Sequence, residues 1–308
     1  MLARVAFALA LVGCWAGHPT SGPPRWRNAT VPEVLPDGAW LVAALDIADD
    51  SPGQREKEAK ARRDPKDVRS GDGCQFPSTH LAFGVYGRGD IIAASRGVYR
   101  RDAILECIAD LGRTRGSTVT NQTVRGVEVL ELRSSTGSFL VTATDSGMIL
   151  GTSGLSLMTR ALADDLAPAT ADAKLGPLIR DARARGELWL AAVVPRGSSV
   201  IDDALAWIGA RPAGRVVSLV GAIHLQAPQR IDLTVGVESD ADARLLATAL
   251  EQRRRAFRSL ASPDLQPLLD AVSVVAEGSR VRIVGSPVNL DWWKTFRGLA
   301  SLIAKLRS

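Results

Sequence analysis

The sequence predicts an α+β fold: two similar tandem units of antiparallel sheet with helices packed on one face. Three observations carry that expectation. Short runs alternate apolar and polar residues with a period of two, and turn residues bound them. Longer stretches carry apolar stripes at i, i+3/i+4 spacing. One order of elements also recurs, because Gly186-Glu187-Leu188-Trp189-Leu190-Ala191-Ala192-Val193 echoes Gly38-Ala39-Trp40-Leu41-Val42-Ala43-Ala44-Leu45. The unit is longer than any solenoid repeat, so the recurrence reads as a duplicated domain; a chance likeness of two βα segments is the alternative.

Asp37-Gly38 is a turn, and the apolar run Trp40 to Ile47 is the first strand. Residues 49–73 form a charged insertion with seven acidic and seven basic side chains and almost nothing apolar to bury. Strands follow over 79–86 and 90–98, joined at Gly87-Arg88-Gly89. Ile104, Leu105, Ile108 and Leu111 place a helix over 101–111. Strands at 127–133, 138–144 and 147–152 precede a helix near 154–166, and Lys174 to Arg185 is helical. The second pass runs through strands at 186–193, 216–225 and 230–237, a helix over 241–256, a hairpin at 272–276 and 280–284, and a closing helix over 286–308. Asp102-Ala103 matches Asp242-Ala243 at the two helix starts. The units are 37–185 and 186–308.

The N-terminus is an address. Met1-Leu2-Ala3-Arg4 supplies one basic side chain, and Val5 to Val12 is an uncharged apolar run. That run is far short of the ~20 apolar residues a membrane-spanning helix needs, so it reads as a secretory signal. It ends in Leu11-Val12-Gly13-Cys14, which resembles the lipobox of bacterial lipoproteins. The resemblance implies cleavage after residue 13 and lipid attachment to Cys14, tethering the protein to a membrane of the bacterial envelope. Trp15 rather than aspartate at the next position favours the outer over the inner membrane. Residues 14–36, with Pro19, Pro23, Pro24, Pro32 and Pro36, read as a spacer. Further on, Leu35-Pro36-Asp37-Gly38, a strand ending in Asp46, Ser51-Pro52, Asp64-Pro65 and Asp67-Val68 followed by a strand pair and helix resemble lipoproteins of deltaproteobacterial and myxobacterial type. No established activity comes with that likeness.

Composition agrees with a folded, exported body. Of the residues, 46% are hydrophobic and 23% charged, which are globular values. The net charge of +5 is small and its arginines are scattered, which argues against a nucleic-acid partner. Besides Cys14 the chain has Cys74 and Cys107. An even pair in an oxidising compartment predicts a Cys74–Cys107 disulfide, with two buried free thiols as the alternative.

Chemistry-bearing motifs are sparse. His18 lies in the spacer, while His80 and His224 lie in strands. Asp49-Asp50, Asp164-Asp165 and Asp202-Asp203 are adjacent pairs whose side chains point apart. Gly151-Thr152-Ser153-Gly154 lacks the spacing of a nucleophile elbow. No metal-ligand spacing or phosphate loop is present, so neither metal nor cofactor is expected. The closing segment carries an apolar stripe that includes Trp293 and Phe296, widened by Trp292, with basic residues on other faces. With Arg253, Arg254 and Arg255 it is the candidate surface facing a partner or the membrane. The sequence therefore points to a non-catalytic, membrane-anchored binding or scaffold protein. Its partner would be an envelope protein or an apolar ligand. A secreted hydrolase and an apolar-ligand carrier are the alternatives.

Overall fold

The computed structural model describes residues 31–46 and 69–287, except 71–72, 75–77, 88, 98–99, 136, 145–146, 153–154, 163–166, 199–200, 202, 204–205, 207–214, 227, 262 and 264. The signal, Cys14, His18, most of the charged insertion and the segment with Trp292, Trp293 and Phe296 lie outside the described residues. Both helices and an extensive antiparallel sheet are present. The chain divides into two compact units, Met1–Ala173 and Lys174–Ser308.

In chain order the first unit contains α1 (Val31–Val34), β1 (Ala39–Asp46), β2 (Arg69–Ser70), β3 (Gly73–Cys74), β4 (Ser78–Tyr86), β5 (Asp90–Gly97), α2 (Arg101–Thr114), β6 (Thr118–Val124), β7 (Val127–Ser134), β8 (Gly137–Ala143), β9 (Gly147–Gly151) and α3 (Leu155–Ala161). Its main strands lie in the order β1-β4-β5-β9-β8-β7-β6. The ladders pair Leu41 with Val85, Val85 with Ile91, and Ile92 with Gly151. Strand β6 carries little apolar signal, and the sequence reading passes over it. Arg125 and Gly126, both with positive φ, turn it into β7 as a two-residue hairpin connection requires.

Helix α2 packs Ile104 and Ala109 on Leu130, Leu132, Val141, Ala143 and Met148. Gly112 lets the helix approach closely, since a Cβ there would collide with Leu132. The opposite face of the same sheet is covered as well. Met158 of α3 lies over Gly151, one residue along from the Leu150 that faces α2. The expectation of helices on one face is thus corrected: residues of both parities in these strands are apolar, and each set needs a cover. The spacer is also shorter than expected. Leu35 is fully buried, its carbonyl accepts from Ala169 N at 2.8 Å, and Tyr86 Oη donates to Pro36 O at 3.0 Å. Residues 31–36 belong to the folded body.

The second unit contains α4 (Leu175–Arg183), β10 (Leu188–Val193), β11 (Val216–His224), β12 (Arg230–Val237), α5 (Asp240–Leu260), α6 (Gln266–Ala271), β13 (Val272–Glu277) and β14 (Arg280–Gly285). Its strand order is β13-β14-β12-β11-β10. The unit starts one helix earlier than the sequence suggested, because α4 packs on β10 and β11. Helix α5 begins where Ser239 Oγ accepts the Asp242 backbone N–H at 3.1 Å. Ala243, Leu246 and Ala247 then meet Val235, Val237 and Val281. On the other face α4 buries Leu175, Ile179 and Ala182, and β10 buries Trp189 and Ala191.

Candidate functional site

The sequence-predicted residues sort quickly. Cys74 and Cys107 form a disulfide with their Cα atoms 6.0 Å apart. It ties β3, at the end of the charged insertion, to the middle of α2. The Arg253–Arg255 cluster does not act as one basic surface. Arg254 donates to Leu269 O at 2.6 Å and to Glu251, so it holds the end of α6 against α5. Arg255 shares the same Glu251 at 2.9 Å. Hydrogen bonds from Arg254, outweighing burial, and then from Arg255 hold the Glu251 carboxyl down to about 2. Arg253 alone of the three is exposed with no partner among the described residues.

Of the histidines, His80 sits in β4 between Asp46 of β1 and Arg96 of β5 in the ladder. His224 Nδ1 lies 2.7 Å from Glu187 Oε2, and the same oxygen accepts the Leu225 backbone N–H at 2.9 Å. Burial pushes the Glu187 carboxyl up, but the Leu225 N–H and His224 outweigh it and hold the group below its usual value. The contact ties the entry of β10 to the exit of β11. A recess lined by Val34, Ala94, Ser95, Arg96 and Met148 measures about 10 Å³, room for a single water. Among the described residues no group of three or more His, Cys, Asp or Glu could hold a metal ion, and no helix is long and apolar enough to cross a membrane.

A cluster of charges that no motif marks surrounds Asp232. Asp232 stands mid-way along β12, on the face opposite the Val235 side that meets α5. Three arginines from three elements converge on it. Arg185, just beyond α4, reaches Oδ1 at 3.0 Å; Arg230 of β12 and Arg282 of β14 reach Oδ2 at 3.1 and 2.9 Å. Arg185 also donates to Thr234 Oγ1 at 3.2 Å and to the Asp181 carboxylate. Burial raises the Asp232 carboxyl, and the Arg282 hydrogen bond with the charges of Arg185 and Arg230 more than reverses that, leaving it below the ordinary value. The Asp232 side chain is 6% exposed, whereas Arg185, Arg282 and Arg230 are 26%, 37% and 56% exposed. A buried anion therefore organises a partly open cationic rim.

No family model matches this chain, and no curated protein or solved structure matches it.

Motif reading misses the cluster because Arg185, from the end of α4, and Arg282, from β14, meet the Arg230-x-Asp232 pair only on folding. One signal was available: Arg-x-Asp followed by an aliphatic residue occurs at Arg88-Gly89-Asp90-Ile91 and again at Arg230-Ile231-Asp232-Leu233.

Proposed function

We propose that this is a lipid-tethered protein of the bacterial envelope, built from two copies of one antiparallel α+β unit and acting by binding rather than catalysis. The Cys74–Cys107 disulfide is the observation that carries the compartment. Such bonds persist where the surroundings are oxidising, and the Leu11–Cys14 lipobox would deliver the chain to such a place. Cys14 would hold the lipid, and its partner in that sense is the membrane.

The strand ladders support the duplication. From Leu41 they lead through Val85 to Ile91, and from Leu190 through Gly221 to Leu233. Setting Leu41 against Leu190 aligns Trp40 with Trp189 and superposes the two Arg-x-Asp-aliphatic segments. That frame is one residue away from the echo of the apolar runs, which placed Gly38 on Gly186. A helix follows each strand pair, starting at Arg101 and at Asp240. The first unit then differs by an added β6–β7 hairpin.

Metabolic labelling tests the anchor. Labelled palmitate should enter the wild-type protein, while Cys14→Ser should stay unlabelled and unprocessed. Labelling of the Ser variant would refute attachment at that residue.

A further inference from the structure

In the paired frame, Ile92 and Gly151 of the first unit correspond to Thr234 and Arg282 of the second, because each pair is directly cross-strand. The first pair is an apolar seat: a Cβ at Gly151 would lie 3.0 Å from Ile92 Cδ1 and 3.5 Å from Met158 Cε. The second pair is polar and opens onto the arginine rim of Asp232. The same backbone position is thus packed in one unit and charged in the other.

The charge there exceeds what Asp232 needs. One carboxylate is neutralised by one guanidinium, yet three touch it, and Asp181 offsets only Arg185. Arg280, two residues from Arg282 on the same face of β14, adds a fourth; its cross-strand neighbour Glu277 offsets one charge. Donors remain unused. Arg230 gives Asp232 only Nη2, and Arg282 gives Nε and Nη2. Among the described residues Arg230 Nε and Nη1 and Arg282 Nη1 have no acceptor, and both side chains reach solvent. Guanidinium groups oriented by a buried carboxylate are pre-organised donors, and an oxyanion can accept the N–H groups they leave unused.

We propose that Arg230 and Arg282, held by Asp232, and Arg280 beside them on the partly open face of β12 and β14, form a binding site for a phosphate group. The phosphate comes from a small soluble ligand or from a lipid headgroup. Binding there requires neither the lipid nor the cut at Cys14, so failure of the anchoring proposal leaves the expected result unchanged.

The experiment uses the full-length protein as purified, titrated with inorganic phosphate by calorimetry. It is followed by co-sedimentation with phosphatidylcholine vesicles with and without phosphatidylglycerol. Saturable binding is expected, weakened about tenfold in R230Q or R282Q by loss of a charge-assisted hydrogen bond, and unchanged in R244Q, at an exposed position of α5. R230Q and R282Q each leave Asp232 two arginines. R280Q, which touches no buried carboxylate, provides a variant whose folding is not at risk and should also weaken binding. Phosphate binding without vesicle binding identifies a soluble ligand; phosphatidylglycerol-dependent sedimentation that inorganic phosphate displaces identifies a headgroup. If neither probe binds, or if all three site variants bind as the wild type does, there is no such site.

Discussion

The two units follow one strand path, β1-β4-β5-β9-β8 in the first and β10-β11-β12-β14-β13 in the second. They use the sheet face opposite the long helix in different ways. In the first unit that face receives Met158 over Gly151, and the buried carboxylate Glu131 is met by a single arginine, Arg133, with Gln122 beside it. In the second unit the buried carboxylate Asp232 gathers three arginines whose outer halves face solvent. The pairing pattern fixes where a side chain stands, and the residue type at that place decides whether the face is closed or displayed.

The largest expected difference between the units lies at Trp40 and Trp189, which the proposed frame aligns. Trp189 is fully buried beneath α4, so Trp189→Ala should cost about 3–5 kcal/mol in denaturant unfolding. Trp40 is buried with its indole N–H lacking an acceptor among the described residues. Trp40→Phe removes that unsatisfied donor and should change stability by less than about 1 kcal/mol. Equal, large losses at both sites would show that the two tryptophans do equivalent work.

Next comes the disulfide, which only the first unit has among the described residues. Cys107→Ala should cost about 3–4 kcal/mol, as expected for closing a loop of this length. Amide exchange should accelerate in α2 and β7–β8 while β11, β12 and β14 stay protected. Uniform acceleration would mean that the units do not hold separate stabilities.

Asp232→Ala leaves three guanidiniums without their anion. Partial exposure of those arginines keeps the expected cost near 2 kcal/mol, below that of a fully buried pair. Asp90, its counterpart in the proposed frame, is exposed, and Asp90→Ala should stay within about 0.5 kcal/mol. A smaller contrast separates two neighbouring arginines. Arg254→Ala, which frees the Leu269 carbonyl, should cost about 1 kcal/mol, and Arg253→Ala nothing measurable.

The pH dependence should be the slightest effect. Glu187 and Asp232 both titrate below their unfolded values, so the stability they lend is present above the unfolded pKa near 4 and is lost as pH falls through the folded value. Glu187→Gln should flatten the acid limb of a stability–pH curve. An unchanged limb would show that the His224 and Leu225 contacts carry no pH-dependent stability.

Much of the fold was legible because β1, β4, β5 and β10–β12 alternate or run apolar, with turn residues between them: Gly87 and Gly89 between β4 and β5, Pro228 between β11 and β12. Strand β6 was not, because Thr118 to Thr123 is mostly polar on both faces; its partner strand β7 supplies the apolar residues. Helix α1 hid within a proline-rich stretch, since burial of Leu35 depends on residues near Ala169 far along the chain. The cysteine pair was legible from its parity. The Asp232 cluster was not, because Arg185, Arg230 and Arg282 meet only after three elements have packed, and no local spacing encodes that.

The protein is proposed, above all, to be held in the envelope by lipid on Cys14. The direct measurement is the mass of the N-terminal peptide of the protein extracted from its native membrane. The account predicts a peptide that begins at Cys14 and carries the added mass of acyl chains. A peptide beginning at Met1, or an unmodified one beginning beyond Cys14, would contradict it.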